Sequence, residues 1–189
     1  LGYNSIHFDE EFLRQSLWEL FQYPYLTSTN NNLRGDVFNL VTMSHAFEPN
    51  SINVEKNDEG KMLFKLESIA SINNIKIENA HEAISDVEAT KSVLEIIKNN
   101  SPSLYFNFIE NTKNTKITNK IKQEEIFSHY GYYFNNHYYY LMTYLCDHPI
   151  YNNYLIAFDL KFDPRIILDL DPKTLKNLYY DKKFEGKNF

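Results

Sequence analysis

The sequence predicts an α/β chain of segregated, α+β character, with a helix-rich first part and a β-rich second part. Three observations carry this. Apolar residues recur at helical spacing in several segments before residue 110. Aromatic and β-branched runs, parted by Gly and Asn turns, follow residue 124. Between them lies a polar stretch with Lys113, Lys116, Lys120 and Lys122 and little apolar periodicity beyond Ile117 and Ile121, which reads as a linker over residues 111–122. The expected domains are therefore 1–110 and 123–189.

Leu1-Gly2-Tyr3-Asn4 reads as the end of a strand entering a turn. Because the chain opens in mid-element and without an initiator Met, it is expected to be a fragment. Phe8 to Phe21 has helical spacing, with Phe8, Phe12, Leu13, Leu17, Leu20 and Phe21 as an apolar stripe and Asp9, Glu10 and Glu11 in the first turn, where carboxylates suit the helix dipole. Tyr23-Pro24-Tyr25 stops this helix, and Thr27 to Leu33 is a loop. Asp36 is the expected N-cap of a second helix that runs through Ala46 and ends before Pro49. Residues 50–61 read as a surface excursion. Leu63 to Ile72 reads as a short helix with Leu66, Ile69 and Ala70 inward, and His81 to about Lys98 as a longer one with Ile84, Val87, Val93, Leu94 and Ile97 in the core. Pro102 opens another through Ile109. Glu125 to Phe134, His137 to Cys146 and Tyr154 to Leu160 are the expected strands of a meander or small barrel. Asp171-Pro172 caps a last helix from Lys173 to Tyr180.

Composition narrows the function classes. The chain is 43% hydrophobic and 23% charged, which is a globular balance. The net charge of -6 opposes a protein that simply coats nucleic acid, since backbone binding relies on Lys and Arg; it leaves room for a nuclease whose carboxylates hold cations. The abundance of Asn, Lys, Ile, Tyr and Phe is what A/T-rich codons encode. Cys146 is the single cysteine, which excludes a disulfide framework within the chain and a Cys-built zinc site. No apolar run approaches the roughly 20 residues of a membrane helix, and no signal segment opens the chain. A cytoplasmic, monomeric protein with no membrane association is expected.

Two segments concentrate chemistry. In Asn4-Ser5-Ile6-His7-Phe8-Asp9 a carboxylate sits at a strand-to-helix junction. In Ala80-His81-Glu82-Ala83-Ile84-Ser85-Asp86-Val87-Glu88-Ala89-Thr90 a histidine at a helix start precedes an aspartate, with small residues on either side that permit close approach. Phosphodiester hydrolysis uses such a set. Two divalent ions about 3.5–4 Å apart activate water and stabilise the leaving oxygen. Mg²⁺ takes hard carboxylate oxygens, and a base working near neutral pH is best supplied by histidine. Taken singly, an Asp in a first turn also serves as a cap, and a His followed by an Asp recurs in many helices.

Together and in this order, Asn-x-x-x-Phe-Asp and Ala-His-x-Ala-x-x-Asp-Val-x-Ala-Thr resemble the second and third motifs of the DEDDh 3′–5′ exonucleases, and most closely those of the bacterial exodeoxyribonuclease I family. Phe8-Asp9-Glu10-Glu11, Tyr23-Pro24-Tyr25, Phe64-Lys65-Leu66-Glu67, Pro102-Ser103-Leu104, His148-Pro149, Asp159-Leu160 and the segment from Leu168 to Leu175 fall in that family's order, so the likeness spans nearly the whole chain. It implies an RNase H-like exonuclease domain, truncated at its N-terminus, followed by a partial SH3-like β domain.

The resemblance also implies roles. Asp9 and Asp86 would be metal-holding acids for two Mg²⁺ ions, with Mn²⁺ as a substitute, and His81 the general base. Lys65 stands where the family has a phosphate-contacting arginine. Arg14 and Tyr25 match positions that grip a single strand, one by charge and one by stacking. Thr42 and Glu48 replace arginines common in relatives, and the family's first Asp-x-Glu motif would precede Leu1. The implied activity is 3′→5′ degradation of single-stranded DNA to 5′-mononucleotides in DNA repair and recombination, with single-stranded DNA-binding protein as a partner; this chain alone is expected to be inactive. A non-catalytic remnant that binds single strands or a protein partner, and a DEDDh exoribonuclease, are the two other readings. The remaining histidines (His7, His45, His129, His137 and His148) lack metal-ligand spacing and are expected to have structural or surface roles. The Tyr138-Tyr139-Tyr140 run is expected to serve packing more than base stacking.

Overall fold

The chain alternates short caps with apolar stretches, and its elements follow those caps. The computed structural model describes residues 1–6, 8–76 and 83–180. Their order is α1 (Asp9–Glu19), a 3-10 turn (Leu26–Ser28), α2 (Val37–Phe47), α3 (Leu66–Ile72), α4 (Ala83–Asn100), α5 (Pro102–Asn111), α6 (Asn114–Gln123), β1 (Phe127–Tyr133), β2 (Asn136–Asp147), β3 (Leu155–Asp159), α7 (Arg165–Leu168) and α8 (Pro172–Tyr180). The result is helix-rich with one small antiparallel sheet. Two compact units divide it. The first is Leu1–Lys120 with Tyr130–Tyr138, and the second is Ile121–His129 with the residues from Tyr139 onward.

In the first unit, Asp36 caps α2 by accepting the Phe38 amide at 3.1 Å, and Pro102 starts α5, where a missing N–H costs nothing. The core is built from Val37, Leu40 and Val41 of α2, Ile52, Phe64, Ile69 of α3, and Val93 and Ile97 of α4. Phe38, Leu104, Tyr105, Phe108 and Tyr132 pack around it. The expected strand end at Gly2 is visible as an isolated parallel bridge to Asp36, with the Val37 amide donating to the Gly2 carbonyl at 2.8 Å.

Two sequence readings are corrected here, on α4 and over residues 50–61, and two more gain their local structure. The apolar stripe of α1 is left uncovered: α1 buries none of its residues, and Phe12, Trp18 and Leu20 stand exposed because no described element covers them. On α4 the core begins at Ala89, so Ile84 (74% exposed) and Val87 (68%) stay outside it. Residues 50–61 are not all surface. Ser51 and Ile52 are buried, because Asn73 ties Asn53 in from both sides (Nδ2 to the Asn53 carbonyl at 2.8 Å, Asn53 amide to Oδ1 at 3.0 Å) and Asn100 Nδ2 donates to the Ser51 carbonyl at 2.9 Å. Only the turn that closes at Gly60, with φ at 78°, is a true excursion. The polar stretch 111–122, read as a linker, carries helix α6 over most of its length. Lys113 and Lys116 both pair with Glu110 at the end of α5, which helps to start that helix.

The sheet has the order β1-β2-β3. Phe134 and Asn135, both at positive φ, make the two-residue turn between β1 and β2, the geometry that matches strand twist. In the second unit, β2 and β3 are antiparallel, with Met142 opposite Asp159 and Asp147 opposite Leu155 and a bulge between Tyr144 and Cys146. Lys122 reaches the Asp147 carboxylate at 2.7 Å, and the Tyr144 hydroxyl donates to the same group at 2.9 Å. His148 is structural as expected: its Nδ1 accepts the Ile150 and Tyr151 amides, each at 3.1 Å. Asp171 caps α8 through the Lys173 and Thr174 amides.

Candidate active site

One cavity of about 1190 Å³ opens in the first unit, and three of the segments that line it bring polar and charged side chains of interest. The turn after Gly2 and the start of α1 supply Asn4, Ser5 and Asp9. The segment entering α3 supplies Phe64, Lys65 and Glu67. The first turns of α4 supply Ala83, Asp86, Val87 and Thr90. Val87 is thus exposed because it faces this cavity, not because it is misplaced. Ala83 keeps the α4 face low beside Asp86, while Ala89 is buried in the core.

Local folding explains how each carboxylate arrives. Asp9 is the first residue of α1, where the dipole favours its charge. Asp86 lies in the first turn of α4, and the Thr90 hydroxyl donates to the Asp86 carbonyl at 2.7 Å one turn on. Lys65 precedes α3 in extended conformation. Its neighbour Phe64 is fixed by the Tyr3 hydroxyl, which donates to the Phe64 carbonyl at 2.6 Å. Burial pushes the Tyr3 phenol well above its ordinary value, with the charges of Asp36 and Glu67 adding to the effect, so Tyr3 acts only as a donor here.

Asp9, Asp86 and Lys65 therefore share one cavity. His81 lies outside the described residues. Arg14 and Tyr25 are not among the cavity's lining residues. They meet each other instead, the guanidinium 5.9 Å from the Tyr25 ring centre, while Arg14 pairs with Glu11 at 2.7 Å and Glu10 at 3.3 Å. Burial pushes Glu10 up, but the Arg34 ion pair at 2.6 Å and the Thr27 hydroxyl at 3.2 Å outweigh it and hold the carboxyl below its usual range. Thr42 is buried inside α2, and Glu48 accepts the Ser101 hydroxyl, so neither faces the cavity.

The donor chemistry fits a hard divalent cation. Mg²⁺ is commonly held by one or two carboxylates, with water and substrate phosphate oxygens completing the shell. Asp9 and Asp86 meet that requirement, while among the described residues no group of three or more His, Cys, Asp or Glu side chains gathers for a closed site. Two residues that tie separated segments together near the cavity were not readable as such. Tyr3 carries no motif, and Asp36 was visible only as a cap. Both act through partners distant in sequence.

Residues 112–188 match the Exonuclease I SH3-like domain family. Over 98% of its length the chain is 33% identical to exodeoxyribonuclease I of Haemophilus influenzae, and over 97% it is 30% identical to that of Escherichia coli. It spans 40% of the length of each of these curated relatives. Among solved structures it resembles E. coli Exonuclease I in complex with a dT13 oligonucleotide, with a TM-score of 0.77 and 30% identity across 99% of this chain and 42% of that one. An ExoI/SSB-Ct complex matches with a TM-score of 0.76 and 28% identity across 96% of this chain and 40% of that one. With a shared fold along almost all of its residues, the chain belongs to the bacterial exodeoxyribonuclease I family.

Proposed function

We propose that the protein to which this chain belongs degrades single-stranded DNA from the 3′ end, releasing 5′-mononucleotides by two-metal-ion hydrolysis in DNA repair and recombination. The observation that carries this reading is the meeting of Asp9 and Asp86 on one cavity beside Lys65. It is supported by relatives solved with dT13 and dA16 oligonucleotides. We read residues 1–110 as part of an RNase H-like exonuclease domain, 111–122 as the connection, and 123–189 as the SH3-like domain.

Asp9 and Asp86 would hold Mg²⁺, or Mn²⁺ in its place, and the bound ions would supply Lewis-acid stabilisation of the phosphate and leaving oxygens. His81 is the proposed base. It takes the proton of the attacking water as that oxygen bonds to phosphorus, while the P–O3′ bond breaks and its electron pair leaves on O3′. Lys65 sets a positive charge against the phosphate, without the two-pronged grip of arginine. Arg14 and Tyr25 would hold the strand outside the cavity. Arg14 is already neutralised by Glu10 and Glu11, which leaves the half-exposed Tyr25 ring as the main contact, by stacking. The ExoI/SSB-Ct complex supports single-stranded DNA-binding protein as a partner of the complete protein.

In the complete protein, Asp86→Asn should lower the rate of mononucleotide release at least roughly a hundredfold, since even outer contacts of a metal site reach that scale, with the circular dichroism spectrum unchanged. Unaltered turnover would remove Asp86 from the site. Competition between DNA and RNA oligomers, with DNA preferred, separates this reading from an exoribonuclease.

A further inference from the structure

One buried carboxylate joins three separate pieces of the first unit. Asp36 is 3% exposed. Its Oδ1 accepts the Phe38 amide at 3.1 Å, capping α2, and also the Asn4 amide at 2.6 Å. Its Oδ2 accepts the Ile6 amide at 3.1 Å. A helix cap needs only the first of these bonds. The other two reach back across the sequence to a turn in which Asn4 holds the left-handed conformation, φ 54°, a geometry that a short polar residue tolerates but does not enforce.

That turn is the base on which α1 stands. The Ser5 carbonyl accepts the amides of Phe8 and Glu10, at 3.4 and 3.0 Å, so the helix start hangs from the segment Asp36 clamps. The helix has little else to orient it. Phe8 provides no side-chain cap, and α1 buries none of its residues. Its other described tether near the start is Glu10, through Arg34 and Thr27. Asp9 lies between these two anchors and lines the cavity.

We propose that Asp36 is a positioning residue for Asp9: by holding the Asn4 and Ile6 amides it fixes the direction of the first turn of α1, so that the Asp9 carboxylate faces the same cavity as Asp86. Asp36 touches no reacting group, and its effect passes through hydrogen bonds to the backbone. This rests on the reading of Asp9 and Asp86 as cation ligands.

The test separates the two. Asp36→Asn retains an oxygen for the Phe38 and Asn4 amides but turns an amide nitrogen toward the Ile6 N–H, where no bond can form. Asp36→Ser keeps an α2 cap but is too short to hold the turn as well. The 189-residue chain is titrated with Mn²⁺, and paramagnetic broadening of the Asp86 and Thr90 amide signals is followed. Those signals lie on α4, away from the substituted bonds. Both variants should unfold cooperatively and need about 10-fold more Mn²⁺ for half-broadening, the scale of lost outer contacts at metal sites, and Asp9→Asn should do the same. A cap with no other role would lower the melting temperature and leave the Mn²⁺ profile where it was. If Asp9→Asn shifts the profile and the Asp36 variants do not, the positioning role is overturned and the ion site stands. If Asp9→Asn leaves it unchanged, the ion-site reading fails. If neither Asp36 variant folds, Asp36 belongs to the core and the positioning role is likewise overturned.

Discussion

Single polar side chains hold this chain's long-range geometry, and their type matters more than their number. The Tyr3 hydroxyl satisfies the Phe64 carbonyl, and Tyr3 is itself packed against the core. Removing only the hydroxyl with Tyr3→Phe keeps the ring and leaves a carbonyl without its partner, a change worth about 1–3 kcal/mol. Urea unfolding should show that loss with an unchanged slope; a loss of under about 0.5 kcal/mol, the scale of an ordinary surface change, would mean that the carbonyl finds water instead. The asparagines repeat the lesson. Their abundance alone reads as codon bias, yet Asn73 and Asn100 tie residues 51–53 into the core, and Asn4, Asn30, Asn31, Asn74 and Asn135 occupy left-handed turns that favour a short polar side chain. Composition showed how many there are. Their individual roles became visible only once distant backbone came alongside.

At the scale of elements, capped ends were legible and faces were not. Asp36 and Asp171 each mark a helix start by accepting amides two or three positions on, and Pro102 marks one by its fixed φ and missing N–H, all of it information local to the sequence. Which side of α1 or of early α4 is covered depends on what packs there, and helical spacing cannot say. The tip of the β1–β2 hairpin shows the same limit. His137 lies parallel to His45 of α2, ring centres 5.5 Å apart and 15° between planes, with Phe64 edge-on to both. The Tyr130 hydroxyl meets His137 Nδ1 at 2.8 Å, and Tyr132 packs against His137 at 5.0 Å. Burial pushes both imidazoles below their ordinary value, Lys56 adding at His45 and His45 adding at His137. Each folded-state pKa thus lies below that of the unfolded chain, about 6.5. The stabilisation is complete above that value and is lost as pH falls through the folded one. The melting temperature should therefore drop between about pH 7.5 and pH 5.5, and His45→Gln with His137→Gln should flatten the slope. An equally steep slope in the double variant would place the titrating groups elsewhere.

Across the whole molecule, burial is distributed unevenly, and that sets how each part opens. Every fully buried hydrophobic side chain among the described residues belongs to the first unit, on α2, α3, α4 or the segments tied to them. In the second unit no described residue is fully buried; its strands are held by ladder bonds, by Lys122 with Asp147, and by partly covered aromatic side chains. Backbone bonds shielded by few apolar contacts open locally without global unfolding, whereas those under a closed core exchange only when the core gives way. Amide hydrogen exchange of the 189-residue chain should rank accordingly. Amides of Val41 and Val93, inside α2 and α4, should be slowest. Those of Tyr144 and Ala157, paired across β2 and β3, should exchange at least about tenfold faster, equivalent to roughly 1.4 kcal/mol less opening free energy, and those of α1 faster still, since it buries nothing. This order also bears on the site. Asp86 lies on α4, a helix rooted in the slow-exchanging core, while Asp9 lies on α1, held at its start by Asp36 and Glu10. One metal-facing carboxylate would then be rigid by packing and the other by hydrogen bonds alone. Strong protection throughout α1, equal to that of α2, would contradict this and would mean that α1 is covered in solution.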